Sequence, residues 1–342
     1  MGKSFNKKKC ILASSLIVLV LIVSLTLYEF LKPLSCSQTT YLYIDNDDNT
    51  DSVRAKMEKA EADISIFAFN MMSALTGYAK HIQPGRYELS ANRSTLTLFR
   101  SLMGHASVPV ELVLPSVRTT EQLAGRLATQ LMVDSTSLAQ VFGDSATWKA
   151  VGRTHETFPA LFIPNTYEVY WETSPEKLMQ RLDKENKAFW TKERKAKAAE
   201  AGLTEDEVVT LASIVDSETA DNSEKARIAG LYINRMKRGL LLQSDPTVIF
   251  AIGDFSIKRV SGKMLETDSP YNTYKEHGLP PGSICIPSIA GIDAVLNYEH
   301  NDYLYMCAKE DFSGSHNFAE TFPEHMANAR RYTKALNELN VH

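Results

Sequence analysis

The stretch LTEDEVVTLASIVDSETADNSEKARIAGLYINRMKRGLLLQSDPT, from Leu203 to Thr247, reads as a helix, a turn, a second helix and the capped start of a third. Thr204 followed three residues later by Glu207 is a capping-box pattern, so the first helix begins there. Val208, Leu211, Ile214 and Val215 keep helical spacing and predict one buried face. Glu218 continues that stripe one turn beyond Ile214, near the helix C-terminus. Desolvation disfavours the ionised carboxyl, and the negative end of the helix dipole acts the same way, so its expected pKa is raised. Such a group is a candidate general acid. The competing reading is a surface carboxylate on a frayed last turn. Asp216 points to another face and is expected in solvent.

Downstream, Ser223 can cap a helix through Lys237, with Gly239 as its C′ glycine. Two antiparallel helices then hold Glu218 at their mouth. Asn234 and Arg235 lie on the second helix and suit either backbone binding or function. Asp245-Pro246-Thr247 is an N-cap followed by proline, which gives Asp245 a structural explanation. Gln243 and Ser244 have none and are candidates to line a groove.

Upstream, Pro175 to Ala201 reads as one long helix. Its lysines, Lys184, Lys187, Lys192, Lys195 and Lys197, are interleaved with glutamates as on a solvated face. The proline- and aromatic-rich segment Phe158 to Tyr170 precedes it, and a domain boundary is placed near Ser145. Residues 37–145 read as a small α+β domain. Its strand Tyr41 to Ile44 is followed by a helix capped by Asp51 and a second apolar helix, Ile64 to Leu75. The turn Gln83-Pro84-Gly85 enters a strand over Arg86 to Leu89. Ser94 then caps a helix through Met103, Val108 to Leu114 forms a strand, and a helix starts at Thr119. Residues 146–342 form a second, mainly helical α+β domain.

The N-terminus departs from this pattern. Lys3, Lys7, Lys8 and Lys9 precede an apolar run from Cys10 to about Leu27. No small-x-small cleavage site directly follows, so residues 10–30 read as an uncleaved transmembrane anchor, with residues 1–9 as a cytoplasmic tail and the rest outside the membrane. The chain has 342 residues, 44% of them hydrophobic, enough for two cores. A net charge of -4 supplies no basic field for nucleic acid. Of the 4 cysteines, Cys10 falls in the anchor, leaving Cys36, Cys285 and Cys307 without a disulfide framework. Cys285 and Cys307 suit core packing, with a bridge between them left open. GxSxG, P-loop, GxGxxG and HExxH patterns are absent. His277, His300, His316 and His325 lack close ligand spacing, so neither metal nor cofactor is expected.

The blocks Ala212 to Thr219, Tyr232 to Met236, Leu242 to Ile249, Tyr271-Asn272-Thr273-Tyr274 and Gly278 to Gly282 follow one another in a distinctive order. They resemble the successive motifs of the MltG (YceG-like) endolytic murein transglycosylases. The anchor, the Gln83 to Tyr87 turn and Pro164 to Tyr167 also fit that family. The resemblance implies a LysM-like glycan-binding domain over 37–145 and a YceG-like catalytic domain over 146–342. It implies cleavage of the bond between N-acetylmuramic acid and N-acetylglucosamine inside nascent peptidoglycan strands, limiting their elongation and leaving 1,6-anhydro ends. Glu218 matches the catalytic glutamate of the family. Asp216 stands where glutamate or another polar residue is expected, which tells against an essential role there.

Within that reading, Asn234, Gln243, Ser244, Tyr271, Asn272, Tyr274 and His316 are candidate substrate contacts, offering amides, hydroxyls, aromatic faces and an imidazole. The implied partners are glycan strands, the inner membrane and a peptidoglycan synthase, with the catalytic domain outside the cytoplasm. Two other classes stay open. A hydrolytic muramidase would pair Glu218 with Asp216, Asp221 or Glu224; a non-catalytic glycan-binding scaffold would not need Glu218 at all.

Overall fold

A computed structural model describes residues 2–338, and side chains from residue 9 onward. The side chains of Lys3, Lys7 and Lys8 and the last residues, 339–342, lie outside the described residues. The chain is mixed α and β, and it divides into two compact units. The first comprises 1–111 with short returns at 130–132 and 168–173; the second comprises 112–129, 133–167 and 174–342. The expected boundary near Ser145 is therefore too late. Helices over Thr120–Ala128 and Ser135–Gly143, which the sequence reading assigned to the first domain, pack in the second unit.

In the first unit, helix α1 (Gly2–Leu31) carries an apolar segment, Lys9–Leu31, long enough to cross a membrane and without buried residues along it. Strand β1 (Thr40–Ile44), α2 (Thr50–Lys59), α3 (Ile66–Thr76), β2 (Gly85–Leu89) and α4 (Thr95–Met103) follow. The β1 and β2 strands pair antiparallel, with Leu42 opposite Tyr87 and Ile44 opposite Gly85. Alternation turns Leu42, Ile44, Tyr87 and Leu89 inward onto Phe69, Tyr78, Leu98 and Leu102. Asn49, not Asp51, caps α2: its side chain accepts from the Asp51 and Ser52 amides, and its own amide donates to Ser52 Oγ at 2.8 Å. An aspartate inside the first turn complements the dipole without being the cap. Ser94 caps α4 as its sequence predicts.

The second unit contains α5 (Thr120–Ala128), α6 (Ser135–Gly143), α7 (Ser145–Ala150), α8 (Pro175–Phe189) and α9 (Lys192–Ala201). It continues through α10 (Glu205–Glu218), α11 (Asn222–Lys237), α12 (Asp245–Ile252) and α13 (Ile289–Leu296). Strands β3 (Pro109–Val113) and β4 (Thr166–Tyr170), each running from one unit into the other, form a two-stranded sheet, and within the second unit β5 (Tyr305–Ala308) with β6 (His316–Ala319) forms an antiparallel hairpin against α14 (Phe322–Glu338). Pro175 to Ala201 is two helices rather than one. Trp190 turns into the core and Thr191 caps α9 from its side chain, so a local cap overrides a continuous helical pattern. The lysines expected on a solvated face are exposed, apart from the half-buried Lys197.

Helix α10 forms the centre of this unit. Its capping box at Thr204 and Glu207 is present. Burial is not confined to one stripe, because every residue from Val208 to Val215 is buried. Polar residues survive there by bonding within the helix and just beyond it. Thr210 Oγ1 donates to Asp206 O at 2.8 Å, Ser213 Oγ donates to Thr210 O at 2.7 Å, and Ser213 Oγ accepts from the Ile284 amide at 3.0 Å. Helices α9, α11, α12 and α13 pack around it.

Asp216 is half-buried, contrary to the solvated position expected. It pairs with Lys225 at 2.7 Å and accepts from the Ser288 amide at 2.6 Å. Gly291 in α13 permits that approach, since a Cβ there would collide with the Asp216 carboxylate. Gly291→Ala should destabilise the fold by about 1–3 kcal/mol through overpacking. Chemical denaturation measures this, and unchanged stability would show that α13 does not need to sit so close.

Candidate active site

Helix α10 ends at Glu218, and the three-residue link Thr219 to Asp221 reverses the chain into α11. Asp221, not Ser223, caps α11 by accepting from the Ser223 amide at 2.9 Å. This reversal sets Tyr232 of α11 against the Glu218 carboxyl. Tyr232 Oη donates to Glu218 Oε1 at 2.7 Å, and Ser244 Oγ donates to the same oxygen at 2.5 Å. Among the described residues Glu218 has no ion-pair partner and no hydrogen bond to Oε2. The neutral acid therefore carries its proton on Oε2.

Burial of the carboxyl is the largest influence on its acidity and raises its pKa. The Ser244 and Tyr232 hydrogen bonds lower it, the nearby Asp245 charge raises it, and His316 lowers it, with the net shift upward. Tyr232 is itself buried and shifted well above the usual phenol range, first by burial and then by the Glu218 charge, so it remains a donor.

Glu218 opens onto a cavity of about 420 Å³ shared with Tyr232, Arg235, Gln243, Asp245 and Tyr274 on one side. The β5–β6 hairpin and α14 supply Tyr305, Cys307, His316 and His325. Ser244 is buried behind Glu218. Of the candidate contacts, Gln243, Tyr274 and His316 thus line the cavity, and Ser244 reaches the acid directly.

Three candidates lie elsewhere. Asn234 Nδ2 donates to Asn301 O, Asn301 Oδ1 and Tyr303 O. Asn272 is fully buried, donating to Leu265 O and Thr267 O and accepting from the Tyr274 amide. Tyr271 packs on Phe250, with ring centroids 4.7 Å apart. These side chains hold loops in place, because buried amides and rings are consumed by the protein itself.

Several residues at or behind the cavity were not among the candidate substrate contacts. Asp245 is the first residue of α12 rather than its cap; its Oδ1 accepts from Tyr274 Oη at 2.6 Å. Ser244 stands in the cap position but makes no capping bond. Arg235 is buried and bonds Leu241 O and Leu304 O, each at 2.7 Å, and Gln243 Oε1 at 2.5 Å. Glu224 is buried and accepts from the His316 amide and from His316 Nδ1, both at 3.0 Å. That contact fixes the ring tautomer and leaves Nε2 for the cavity. His325 stacks on Tyr305 at 5.4 Å, and burial, then the Arg235 charge, lowers its pKa. The nearest advance signal for this second layer was the charge of Glu224 and Arg235 on a helix that must bury most of its length.

All four cysteines are free. Burial pushes the Cys285 thiol up to about 12. Among the described residues no cluster of three His, Cys, Asp or Glu is placed to hold a metal ion.

The model of the YceG-like family matches residues 42–331. The chain belongs to the YceG-like family. Curated relatives include an endolytic murein transglycosylase of Bacillus subtilis, 33% identical over 53% of this chain and 48% of that protein. Another, of Streptococcus pneumoniae, carries the same name and is 27% identical over 82% of this chain and 56% of its own length. This YceG-like chain thus spans about half the length of those relatives. The crystal structure of a YceG-like protein from Listeria monocytogenes superposes with a TM-score of 0.56 at 26% identity, over 84% of this chain and 98% of that one.

The raised pKa of Glu218 makes stability depend on pH. A carboxyl whose folded pKa lies above its unfolded value contributes stability below the unfolded pKa and loses it as pH rises through the folded one. Glu218→Gln keeps an oxygen acceptor for Tyr232 and Ser244 but never ionises. Its melting temperature should exceed that of the parent by a margin that grows as pH rises above about 4, the unfolded carboxyl's range. A pH-independent difference would mean that the carboxyl is not desolvated.

Proposed function

We propose that this chain is a membrane-anchored endolytic lytic transglycosylase of peptidoglycan. The observation that carries the reading is the Glu218 carboxyl, without an ion-pair partner among the described residues, with two hydroxyl donors on one oxygen and none on the other, at the wall of a cavity. Family membership and the names of the relatives support the substrate class.

The chemistry asks one residue to act twice. Neutral Glu218 gives the Oε2 proton to the glycosidic oxygen as the C1–O bond of the muramic residue breaks and its electron pair leaves with that oxygen. The carboxylate then takes the proton of the same residue's C6 hydroxyl, whose oxygen closes on C1 to form the 1,6-anhydro ring. Intramolecular attack replaces water and gains the proximity advantage of a reaction inside one sugar. Desolvation favours the first half of the cycle, whereas Tyr232 and Ser244 stabilise the carboxylate left for the second. Gln243, Tyr274 and the His316 Nε2 edge serve as sugar contacts in the same cavity.

Asp245 gives a hydrolytic reading some footing, because it is a second carboxylate lining this cavity. The partners first considered are otherwise engaged: Asp216 with Lys225, Asp221 with α11, and Glu224 with His316. The ends of the product separate the two reactions. Mass spectrometry of digested strands should find anhydromuramic ends, lost about 10²–10⁴-fold in Glu218→Gln. Reducing ends from the parent would replace this reading with hydrolysis, and an active Glu218→Gln would remove the acid from its role.

The first unit, with its short β1–β2 ribbon and flanking helices, is proposed to be LysM-like and to hold glycan. Helix α1 is proposed to cross the inner membrane with its N-terminus in the cytoplasm and the catalytic unit outside, beside a peptidoglycan synthase. Removing residues 1–31 should move the protein from the membrane to the soluble fraction on cell fractionation. Retention at the membrane would place the anchor elsewhere.

A further inference from the structure

A second cavity, of about 450 Å³, adjoins the first. Ser217, Thr219 and Pro246 line it, while their chain neighbours Glu218 and Asp245 line the catalytic cavity, so one wall separates the two spaces. Its floor is electrically balanced, because the buried Lys225 ammonium meets Asp216 at 2.7 Å and the other Asp216 oxygen is held by the Ser288 amide. The Cys285 thiol, held neutral by burial, adds no charge. Ile249, Phe250 and Phe255 give an apolar side.

The rim carries the one unbalanced charge. Arg118 is exposed, lies 4.9 Å over the Phe255 ring and donates to Phe255 O at 3.4 Å. Among the described residues it has no carboxylate partner. A guanidinium over an aromatic ring, with one N–H spent on a backbone carbonyl, keeps other N–H groups for a planar anion. A neutral floor, an apolar side and one such cation suit a carboxylate on a partly apolar stem.

We infer that this cavity is a subsite for a carboxylate borne on the muramic side of the strand, with Arg118 as its cation and Phe255 as the platform that orients it. The inference rests on the proposed glycan substrate. Two parts of that substrate offer the chemistry: the free lactyl carboxylate of a naked strand and the carboxylates of a stem peptide. In either case the group would enter beside the scissile bond, because the shared wall contains the acid.

Full-length Glu218→Gln protein in detergent micelles can be titrated calorimetrically with naked strands, peptide-bearing strands, and each of these with its carboxylates converted to amides. Amidation should weaken binding of at least one strand type by about tenfold, the scale of a charge-assisted hydrogen bond. The strand type affected identifies the source. Adding Arg118→Gln should abolish the difference between acid and amide, and adding Phe255→Ala should reduce it, with circular dichroism confirming the fold of both. Equal binding of acid and amide to the Arg118-containing protein overturns the subsite, as does a difference that persists without Arg118. Parent protein that makes anhydro ends while showing no amidation effect leaves the transglycosylase reading standing and removes the subsite. Charge-dependent, Arg118-dependent binding by a parent that makes no such ends does the reverse.

Discussion

The convergence of two hydroxyls on Glu218 Oε1 is the contact on which the site depends. It connects three segments far apart in sequence: the end of α10, the middle of α11 and the entry to α12. Each segment is fixed for its own reason. Burial on all sides locks α10, the Asp221 cap and its antiparallel return place α11, and Arg235 pins the segment before Ser244 through Leu241 and Gln243. A carboxyl so held feels desolvation and hydrogen bonding in opposition. An acid that must also become a base within one cycle needs both influences.

Much of the frame was legible in the sequence because it is set locally. Caps at Ser94, Thr119 and Thr204 fall where their side chains predict, since capping involves atoms a few residues apart. The same locality misleads where two caps compete. Thr191 splits a helix that periodicity alone would run together, and Asp221 reaches α11 before Ser223 can. Glu218 could be singled out from its position on an apolar stripe, yet its partners could not. Tyr232 and Ser244 meet it only through tertiary folding.

The amides show the same limit. Asn234, Gln243 and Asn272 were equal candidates by side-chain chemistry. Asn234 and Asn272 spend their donors on main-chain carbonyls, while Gln243 faces the cavity and offers Arg235 its oxygen, leaving its nitrogen available. Whether an amide serves the protein or a ligand depends on which loops pass beside it, and sequence spacing carries no such information. Asp216 and Glu218 illustrate it most directly. Two residues apart on one helix, they face separate cavities, and only Asp216 has a lysine to pair with.

The entry to α12 shows what this arrangement costs. Ser244 occupies the cap position of that helix, where its oxygen would ordinarily accept from the first turn and contribute about 1 kcal/mol. It is turned to Glu218 instead. Gln243, just before it, has φ of 55°, a left-handed conformation that strains a residue with a side chain. The loss is offset in part by Pro246, which has no amide to leave unsatisfied, and by the Gln243 amide bonding to Thr273 O at 3.0 Å. Arg235 fastens the strained residue from its side chain. A turn relaxed into ordinary capping geometry would gain local stability and withdraw a donor from the acid. The strain lies next to the reacting group because the donor there must be aimed across the chain.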